Sequence, residues 1–285
     1  MSIIVMVDGS ANITKSMIKK YNLDVLPYNV VFFNGDTYRD IVDIKNQSEL
    51  VQLIQEHGDF PKLLHLEKDK VRSKFKRHIE NGNDILYITS SAKLTAAYEI
   101  GIEISKEFSI GTIEVIDSLS VGSGITLLAL EAIKYIEKGY GLKQTAKYIN
   151  KLKHSIRSSY AVGNFNYLYN QHHCDVVEYN YLEFYETFPV VEIHNGNIVL
   201  TYNAKEKDIA LQILKNTISD YSRYINDSLV VISYSGDKKV ANKLKEYIGK
   251  SFTKNIIVLE NGSAIFLNTG LDTVGVTFLG RKHLI

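Results

Sequence analysis

The feature that most constrains the fold of this chain is a repeated change of hydrophobic period along its first half. Short runs of β-branched residues alternate with longer stretches in which apolar residues recur three and four positions apart. The short runs predict the strands Ile3–Val7, Val25–Phe33, Ile85–Thr89 and Ile113–Ile116. The longer stretches predict the helices Ser16–Tyr21, Glu67–Glu80, Ala92–Phe108, Gly122–Lys138 and Leu142–Ile156. This order predicts parallel strands covered by helices, because parallel neighbours need a crossover connection.

The second half of the chain is less regular and predicts an α+β or α/β domain. Asn195-Gly196 lies between two short apolar runs, which is a strong hairpin signal. The tract from Tyr160 to Tyr185 fits no period and predicts a loop or a short helix. The predicted strands are Val190–Ile193, Ile198–Thr201, Leu229–Ser233, Ile256–Glu260, Ala264–Asn268 and Val274–Leu279, and the predicted helices are Ala204–Tyr224 and Asp237–Ile248.

Composition excludes several classes of protein. The 33 Lys and Arg residues nearly balance the 32 Asp and Glu residues, so we expect no nucleic-acid partner. A single cysteine, Cys174, forms neither an internal disulfide nor a multi-thiolate zinc site, and this favours the cytoplasm. No apolar run approaches the roughly 20 residues that span a bilayer, so we expect no integral membrane segment.

Three polar loops follow predicted parallel strands. They are Asp8-Gly9-Ser10, Thr89-Ser90-Ser91 and the stretch Asp117–Gly124. Loops at the carboxyl ends of parallel strands face a common crevice, where hydroxyls and free N–H groups favour a carboxylate or a phosphate. The alternative is that these side chains only cap helices. The sequence alone leaves both interpretations open.

Cofactor and catalytic motifs are weak. Gly122-Ser123-Gly124 lacks the third glycine of a dinucleotide fingerprint, and there is no Walker loop, so we expect no cofactor. A serine hydrolase would require a base within hydrogen-bond reach of Ser90 or Ser91, and no histidine is identified as that base by the sequence. We therefore predict no catalytic residues and no metal site.

Several motifs occur in a fixed order along the chain and together resemble the DegV family. They are Val7-Asp8-Gly9-Ser10, Tyr38-Arg39-Asp40-Ile41-Val42-Asp43, Ser90-Ser91 with Lys93-Leu94 and Tyr98, Asp117-Ser118 with Gly122-x-Gly124, and Asn268-Thr269-Gly270. The last is similar to a His-Thr-Gly motif of the family. DegV proteins are bacterial two-domain proteins that bind a long-chain fatty acid.

The resemblance implies an α/β fold of two domains, with a parallel-sheet βαβ domain over residues 1–156 and a second α/β domain over residues 157–285. It also implies a non-enzymatic cytoplasmic protein that buries the acyl chain of a long-chain fatty acid or related lipid. A separate fatty-acid kinase subunit is the implied partner, to which the bound carboxylate would be presented.

Departures from the family pattern fall at its head-group site. The Thr-Ser-Gln-Pro loop, whose hydroxyl helps to hold the fatty-acid carboxylate, aligns with Leu63-Leu64-His65-Leu66. The family's Ser-Gly-Thr becomes Thr95-Ala96-Ala97, and its histidine becomes Asn268. The ligand-binding residues implied for this chain are Ser90, Ser91, Thr95, Leu63, Leu64, His65, Asn268 and Thr269.

The lost hydroxyl leaves three hypotheses, because a carboxylate in an apolar pocket needs several donors. His65 and Asn268 supply replacement donors, or the ligand's head is less charged, or binding is lost while the fold is kept. The last describes a degenerate regulatory or interaction protein, in which Leu63 and Leu64 plug the head site. A serine-dependent hydrolase is a further alternative.

Overall fold

A parallel sheet forms the centre of the first half of the chain. The structure is a computed structural model that describes residues 2–64, 66–109, 111–163, 167, 187–225 and 228–280. The sheet contains β1 (Ile3–Asp8), β2 (Asp24–Leu26), β6 (Asp84–Thr89) and β7 (Ile113–Asp117), in the order β2-β1-β6-β7. All its neighbours pair in parallel, which confirms the prediction.

Helices pack on both faces of this sheet. They are α1 (Lys15–Tyr21), α3 (Lys68–Glu80), α4 (Ala97–Ser105), α5 (Ser123–Glu137) and α6 (Leu142–Leu152). The remaining helix of this half, α2 (Gln47–His57), packs instead with Phe32 and Phe266. The prediction of one helix over Ala92–Phe108 was wrong at its start. Residues 92–96 form a loop instead, in which the Ala92 N–H donates to the Asp117 side chain.

A small antiparallel sheet was not predicted. It contains β3 (Asn29–Val31), β4 (Thr37–Arg39) and β5 (Lys62–Leu64), in the order β4-β3-β5. The single strand predicted over Val25–Phe33 was therefore wrong, since β2 and β3 belong to different sheets. Pro27 lies between them and has no N–H to donate to a ladder.

A six-stranded sheet organises the second half. Its order is β10-β9-β8-β13-β11-β12, and its neighbours are antiparallel except for the parallel pair of β11 and β12. The hairpin predicted at Asn195-Gly196 joins β9 to β10, with positive φ at both turn residues. The six strands are β8 (Ile156–Ala161), β9 (Phe188–His194), β10 (Asn197–Ala204), β11 (Val230–Tyr234), β12 (Ile256–Glu260) and β13 (Val274–Leu279).

Three further predictions were wrong. The tract that begins at Tyr160 was predicted as a loop or a short helix, but Tyr160 and Ala161 belong to β8. The helix predicted over Leu142–Ile156 ends at Leu152, and β8 follows after one short turn. The strand predicted over Ala264–Asn268 is a helix, Ser263–Thr269, and every residue of its apolar run is buried. A short apolar run buried on all sides does not distinguish a strand from a helix by period. The helices of this half are α7 (Lys207–Asp220), α8 (Ser222–Ile225), α9 (Lys238–Ser251) and α10 (Ser263–Thr269).

Helix α5 joins the two large sheets. It packs against β1 and β6 on one side and against β8, β11 and β13 on the other. One apolar cluster accordingly includes Val7 of β1, Leu128 of α5 and Val231 of β11. The predicted division between residues 156 and 157 coincides with the start of β8 and stays a prediction.

Helix α10 is held at its N-terminus by Asp40, which lies just after β4. Asp40 is 3% exposed, and its Oδ1 accepts hydrogen bonds from Ser263 Oγ at 2.7 Å and from the Ile41 N–H at 2.9 Å. Its Oδ2 has no partner among the described residues. Burial raises the pKa of this carboxyl from 3.8 to about 6.

Replacing Asp40 by Asn is expected to stabilise the protein at alkaline pH. Between the two pKa values the folded state holds the Asp40 proton more tightly than the unfolded state does. Wild-type stability therefore falls by about 3 kcal/mol as pH rises from about 4 to above 6. The neutral side chain of Asp40→Asn does not titrate, so the variant does not lose this stability as pH rises. It should therefore be more stable than the wild type at about pH 8 and no more stable at about pH 4. Urea unfolding at both pH values measures it, and equal stabilities at about pH 8 would contradict the assignment.

Candidate functional site

Two of the three polar loops meet at the buried carboxylate of Asp8, and the third loop contacts the second. The Ser90 N–H and Oγ donate to Asp8 Oδ2 at 2.5 and 2.7 Å, and the Ser10 N–H and Oγ donate to Asp8 Oδ1 at 3.0 and 2.5 Å. The Ser91 N–H donates to the Ser120 carbonyl at 2.9 Å, which brings in the third loop. The predicted convergence of these loops is confirmed. Asp8 accepts four hydrogen bonds, two on each carboxylate oxygen.

A chain of hydroxyls runs outward from Asp8. Ser90 Oγ lies 2.6 Å from Thr95 Oγ1 and 3.3 Å from the Tyr28 hydroxyl. Because the Ser90 hydrogen is directed to Asp8, Ser90 Oγ can only accept from these two neighbours. Burial, followed by the negative charge of Asp8, raises the pKa of Tyr28 well above its usual value. Tyr28 therefore stays protonated and able to donate.

The Asp8 loop approaches the chain between β2 and β3 so closely that only glycine fits at position 9. A Cβ at Gly9 would lie 2.6 Å from the Tyr28 backbone nitrogen and 3.3 Å from the Leu26 carbonyl oxygen. A serine at this position would force the two segments apart. Glycine at this position therefore sets the spacing between the Asp8 loop and Tyr28.

Replacing Gly9 by Ala is expected to lower the free energy of unfolding by about 2 kcal/mol, because backbone atoms must move to admit the methyl group. Gly249→Ala is the control. Gly249 lies within α9, and the nearest atom outside the helix to an added Cβ would be Ile256 Cδ1 at 3.8 Å. Alanine is therefore expected to stabilise that helix by up to about 1 kcal/mol. Denaturant unfolding of both variants measures the expected decrease in the free energy of unfolding for Gly9→Ala and the expected increase for Gly249→Ala. A neutral Gly9→Ala would show that the loop can shift freely.

A mostly apolar cavity of about 180 Å³ opens beside these loops. It exceeds the ~150 Å³ of an engineered apolar cavity that admits benzene. Its walls come from both halves of the chain, with the hairpin of β9 and β10 on one side and α10 on another. The described lining residues are Ser10, Tyr28, Leu63, Leu94, Thr95, Val121, Tyr160, Val191, Ile193, Ile198, Ala264, Ile265, Asn268 and Thr269.

Two polar side chains of this lining carry buried atoms without partners. Asn268 Nδ2 donates to the Ala264 carbonyl at 2.6 Å, which fixes the amide so that Oδ1 is the free atom. The hydroxyl of Tyr160, a residue 3% exposed, likewise has no partner among the described residues. Burial raises the pKa of Tyr160. Both unpartnered atoms are enclosed by protein, since each exposes less than 1 Å².

The residues implied for ligand binding occupy three kinds of position. Leu63, Thr95, Asn268 and Thr269 line the cavity. Ser90 and Ser91 are fully buried and lie outside the cavity lining. Leu64 is 50% exposed and also lies outside that lining. His65 lies outside the described residues.

Other residues of the site are not among the ligand-binding residues that the sequence implied. Asp8 and Tyr28 join the hydroxyl chain, and Tyr160, Val191 and Ile198 form part of the wall. The end of β1 indicated that Asp8 lies in the crevice, but no local pattern marks it as the centre of the hydrogen bonds. Tyr160 begins a tract whose apolar residues fit neither a helical nor a strand period.

Over the described ranges, no three His, Cys, Asp or Glu side chains are grouped so as to hold a metal ion. Over the same ranges, no helix combines the length and apolar character that crossing a bilayer requires.

Comparison with known proteins gives one family. A family model described as "Uncharacterised protein, DegV family" matches residues 2–281. A DegV domain-containing protein of Clostridium perfringens is 28% identical over 157 residues, which is 55% of this chain and 56% of that relative. A Thermotoga maritima protein named fatty acid-binding protein is 22% identical over 99% of this chain and 100% of its own length.

Solved structures share the fold. A DegV family protein from Thermus thermophilus, whose structure is described for its fatty acid binding, superposes with a TM-score of 0.88 at 19% identity. The match covers 98% of this chain and 99% of that one. The predicted α/β fold of this family is therefore confirmed over nearly the whole chain.

Proposed function

This chain belongs to the DegV family, and on that premise we propose that it binds the acyl chain of a long-chain fatty acid or related lipid in the described cavity. The observation that carries the proposal is an apolar cavity with hydroxyl and amide groups on its wall. Apolar side chains from both halves of the protein form most of its wall, and Thr95 and Asn268 supply polar groups. Burial of hydrocarbon against such a wall drives binding, at about 0.8 kcal/mol per methylene.

In this proposal the predicted ligand-binding residues have distinct roles. The lipid contacts Leu63, Thr95, Asn268 and Thr269. Ser90 and Ser91 do not contact the lipid and lie behind the cavity wall. The volume suits a stretch of several methylene groups, so we expect a long chain to widen the cavity. The hairpin of β9 and β10 lies at an edge of its sheet and is the wall that we expect to move.

The proposal also includes a non-enzymatic role in the cytoplasm, with domains over residues 1–156 and 157–285. Among the described residues, the partners of the Ser90 hydroxyl are Asp8, Thr95 and Tyr28, with no histidine to serve as a base. We further propose a separate fatty-acid kinase subunit as partner. Adding such a subunit and ATP to the loaded protein, and assaying acyl phosphate, tests that part.

A binding titration tests the main proposal. Displacement of a fluorescent fatty acid by myristic or palmitic acid should be saturable, with one site per chain. Absence of any displacement, together with absence of probe binding, would overturn the proposal.

A ligand-free interaction protein is not favoured. Leu63 lines the cavity without filling it, and Leu64 is half exposed, so the pair does not plug the site.

A further inference from the structure

The hairpin of β9 and β10 extends beyond the strand that supports it. β8 pairs with β9 no closer to the turn than the pair of Ser159 and Glu192. Within the described part of the chain, residues 193–198, here called the arm, pair only with each other. The register of β10 shifts between Leu200 and Tyr202, and such bulges bend a strand. The arm is therefore a two-stranded extension with a bend near its base.

The arm separates the lipid cavity from a polar cleft. Ile193 and Ile198 line the cavity, and Ile193 also lines a cleft of about 650 Å³ together with His194 and Asn195. Ser158 lines the same cleft and lies on the part of β8 that does not pair with β9. Because the arm is the wall that the two spaces share, its movement would join the cavity to the cleft.

Few apolar contacts hold the arm in place. Ile193 and Ile198 belong to a small cluster with Tyr160, Val162 and Val191, distinct from the large clusters that pack the two main sheets. Tyr160 and Val191 line the cavity themselves. Movement of the arm therefore exposes the wall of the cavity and leaves the main cores intact. Segments with so few buried contacts open at a small fraction of the free energy of unfolding.

A glycine lets the tip of the arm lie against the polar loops. Gly196 is buried, although its neighbours Asn195 and Asn197 are exposed. An added Cβ at position 196 would lie 2.4 Å from Ser91 Oγ, and the next nearest atoms belong to Leu119, at 3.4 and 3.5 Å. The tip thus contacts the loops that follow β6 and β7, and the lack of a side chain at Gly196 permits this contact.

We propose that the arm is the gate through which lipid enters and leaves the cavity, and that the contact of Gly196 with Ser91 is its latch. This inference rests on the proposed function. In the closed state the tip lies against the two loops, and Ile193 and Ile198 complete the cavity wall. In the open state the arm leaves these loops and the acyl chain passes along the exposed wall. The latch controls the rate of lipid exchange, as lids do in many enzymes.

A reversible crosslink tests the gate. Cysteines are placed at the latch as Ser91→Cys and Gly196→Cys, in a Cys174→Ser background, because the close approach of these positions suits a disulfide. The reduced protein is loaded with a fluorescent fatty acid and then oxidised, and release of the probe into excess palmitic acid is timed. Release should be at least about tenfold slower from the oxidised protein than after reduction.

A second crosslink within the arm is the control. His194 and Asn197 lie opposite each other beside the turn, and both are exposed. A disulfide between His194→Cys and Asn197→Cys leaves the tip free, so reduction should not change the release rate. Equal rates for the oxidised and reduced latch pair would overturn the inference and leave the proposed function standing. Failure of the wild-type protein to bind any fatty acid would overturn both.

A second set of variants opens the latch. Gly196→Ala places a methyl group against Ser91 Oγ and should speed release of the probe by about tenfold. Ser91→Ala removes the one atom that lies closer than 3.4 Å to the added methyl, so Gly196→Ala should have little effect in that background.

Gly139→Ala controls for backbone strain. Gly139 has φ of +90°, close to the +85° of Gly196, but an added Cβ there would meet nothing within 4 Å. This variant should release the probe at the wild-type rate. Release from Gly196→Ala that is as slow as release from Gly139→Ala would contradict the latch.

Discussion

Replacing Ile198 by Trp is expected to weaken lipid binding by at least about 100-fold, or ~2.8 kcal/mol. Ile198 lies on β10 and lines the cavity. The indole is far larger than the side chain it replaces, and the whole cavity measures about 180 Å³. Since Ile198 is only partly buried and Trp is favoured in strands, the fold should accept the change. Probe displacement on the purified variant measures the loss.

Val199→Trp is the matched control, because successive side chains on a strand point to opposite faces. Val199 is 39% exposed and does not line the cavity. This variant should bind lipid with wild-type affinity. Equal affinities for Ile198→Trp and Val199→Trp would show that the ligand lies elsewhere.

Replacing Asp8 by Asn is expected to lower the free energy of unfolding by about 4 kcal/mol. The Asp8 carboxylate accepts two hydrogen bonds from Ser10 and two from Ser90, and the side chain is fully buried. An amide turns one oxygen into a donor that faces two other donors. Two charge-assisted bonds are then lost, each of which contributes about 1.5 to 3 kcal/mol. Urea unfolding near neutral pH measures the change.

Asp220→Asn provides the comparison for a surface carboxylate. Asp220 is exposed at the end of α7, and its substitution should change stability by no more than about 0.5 kcal/mol. If Asp8→Asn proved equally mild, the four hydrogen bonds at Asp8 would contribute little to stability, which would contradict the prediction.

The first half of the fold was predictable because its information is local. Each strand and helix carries its own period, and parallel order then requires the loops after β1, β6 and β7 to meet. For that reason the contact between Asp8 and Ser90, which are 82 positions apart, follows from topology. Leu63 lines the cavity and Leu64 is exposed because successive side chains of a strand point to opposite faces. This follows from the sequence only once residues 62–64 are known to form β5.

The rest of the site depends on contacts that no local pattern records. Helix α10 is specified by its burial and by the hydrogen bond from Ser263 to Asp40, 223 positions away. Tyr160 enters the cavity wall because β8 pairs with both β9 and β13. Side chains of β9 and β10 reach the polar loops only after the second sheet packs on α5. A family resemblance identified Thr95 and Asn268, whereas the direction of the hydroxyl chain required coordinates.

The most direct test of lipid binding is to extract the purified protein with organic solvent and identify acyl compounds by mass spectrometry, with Ile198→Trp processed in parallel. We predict close to one acyl lipid per wild-type chain and little or none in the variant. A wild-type protein that carries no acyl compound, and takes none up when fatty acid and fatty alcohol are supplied, would contradict the account.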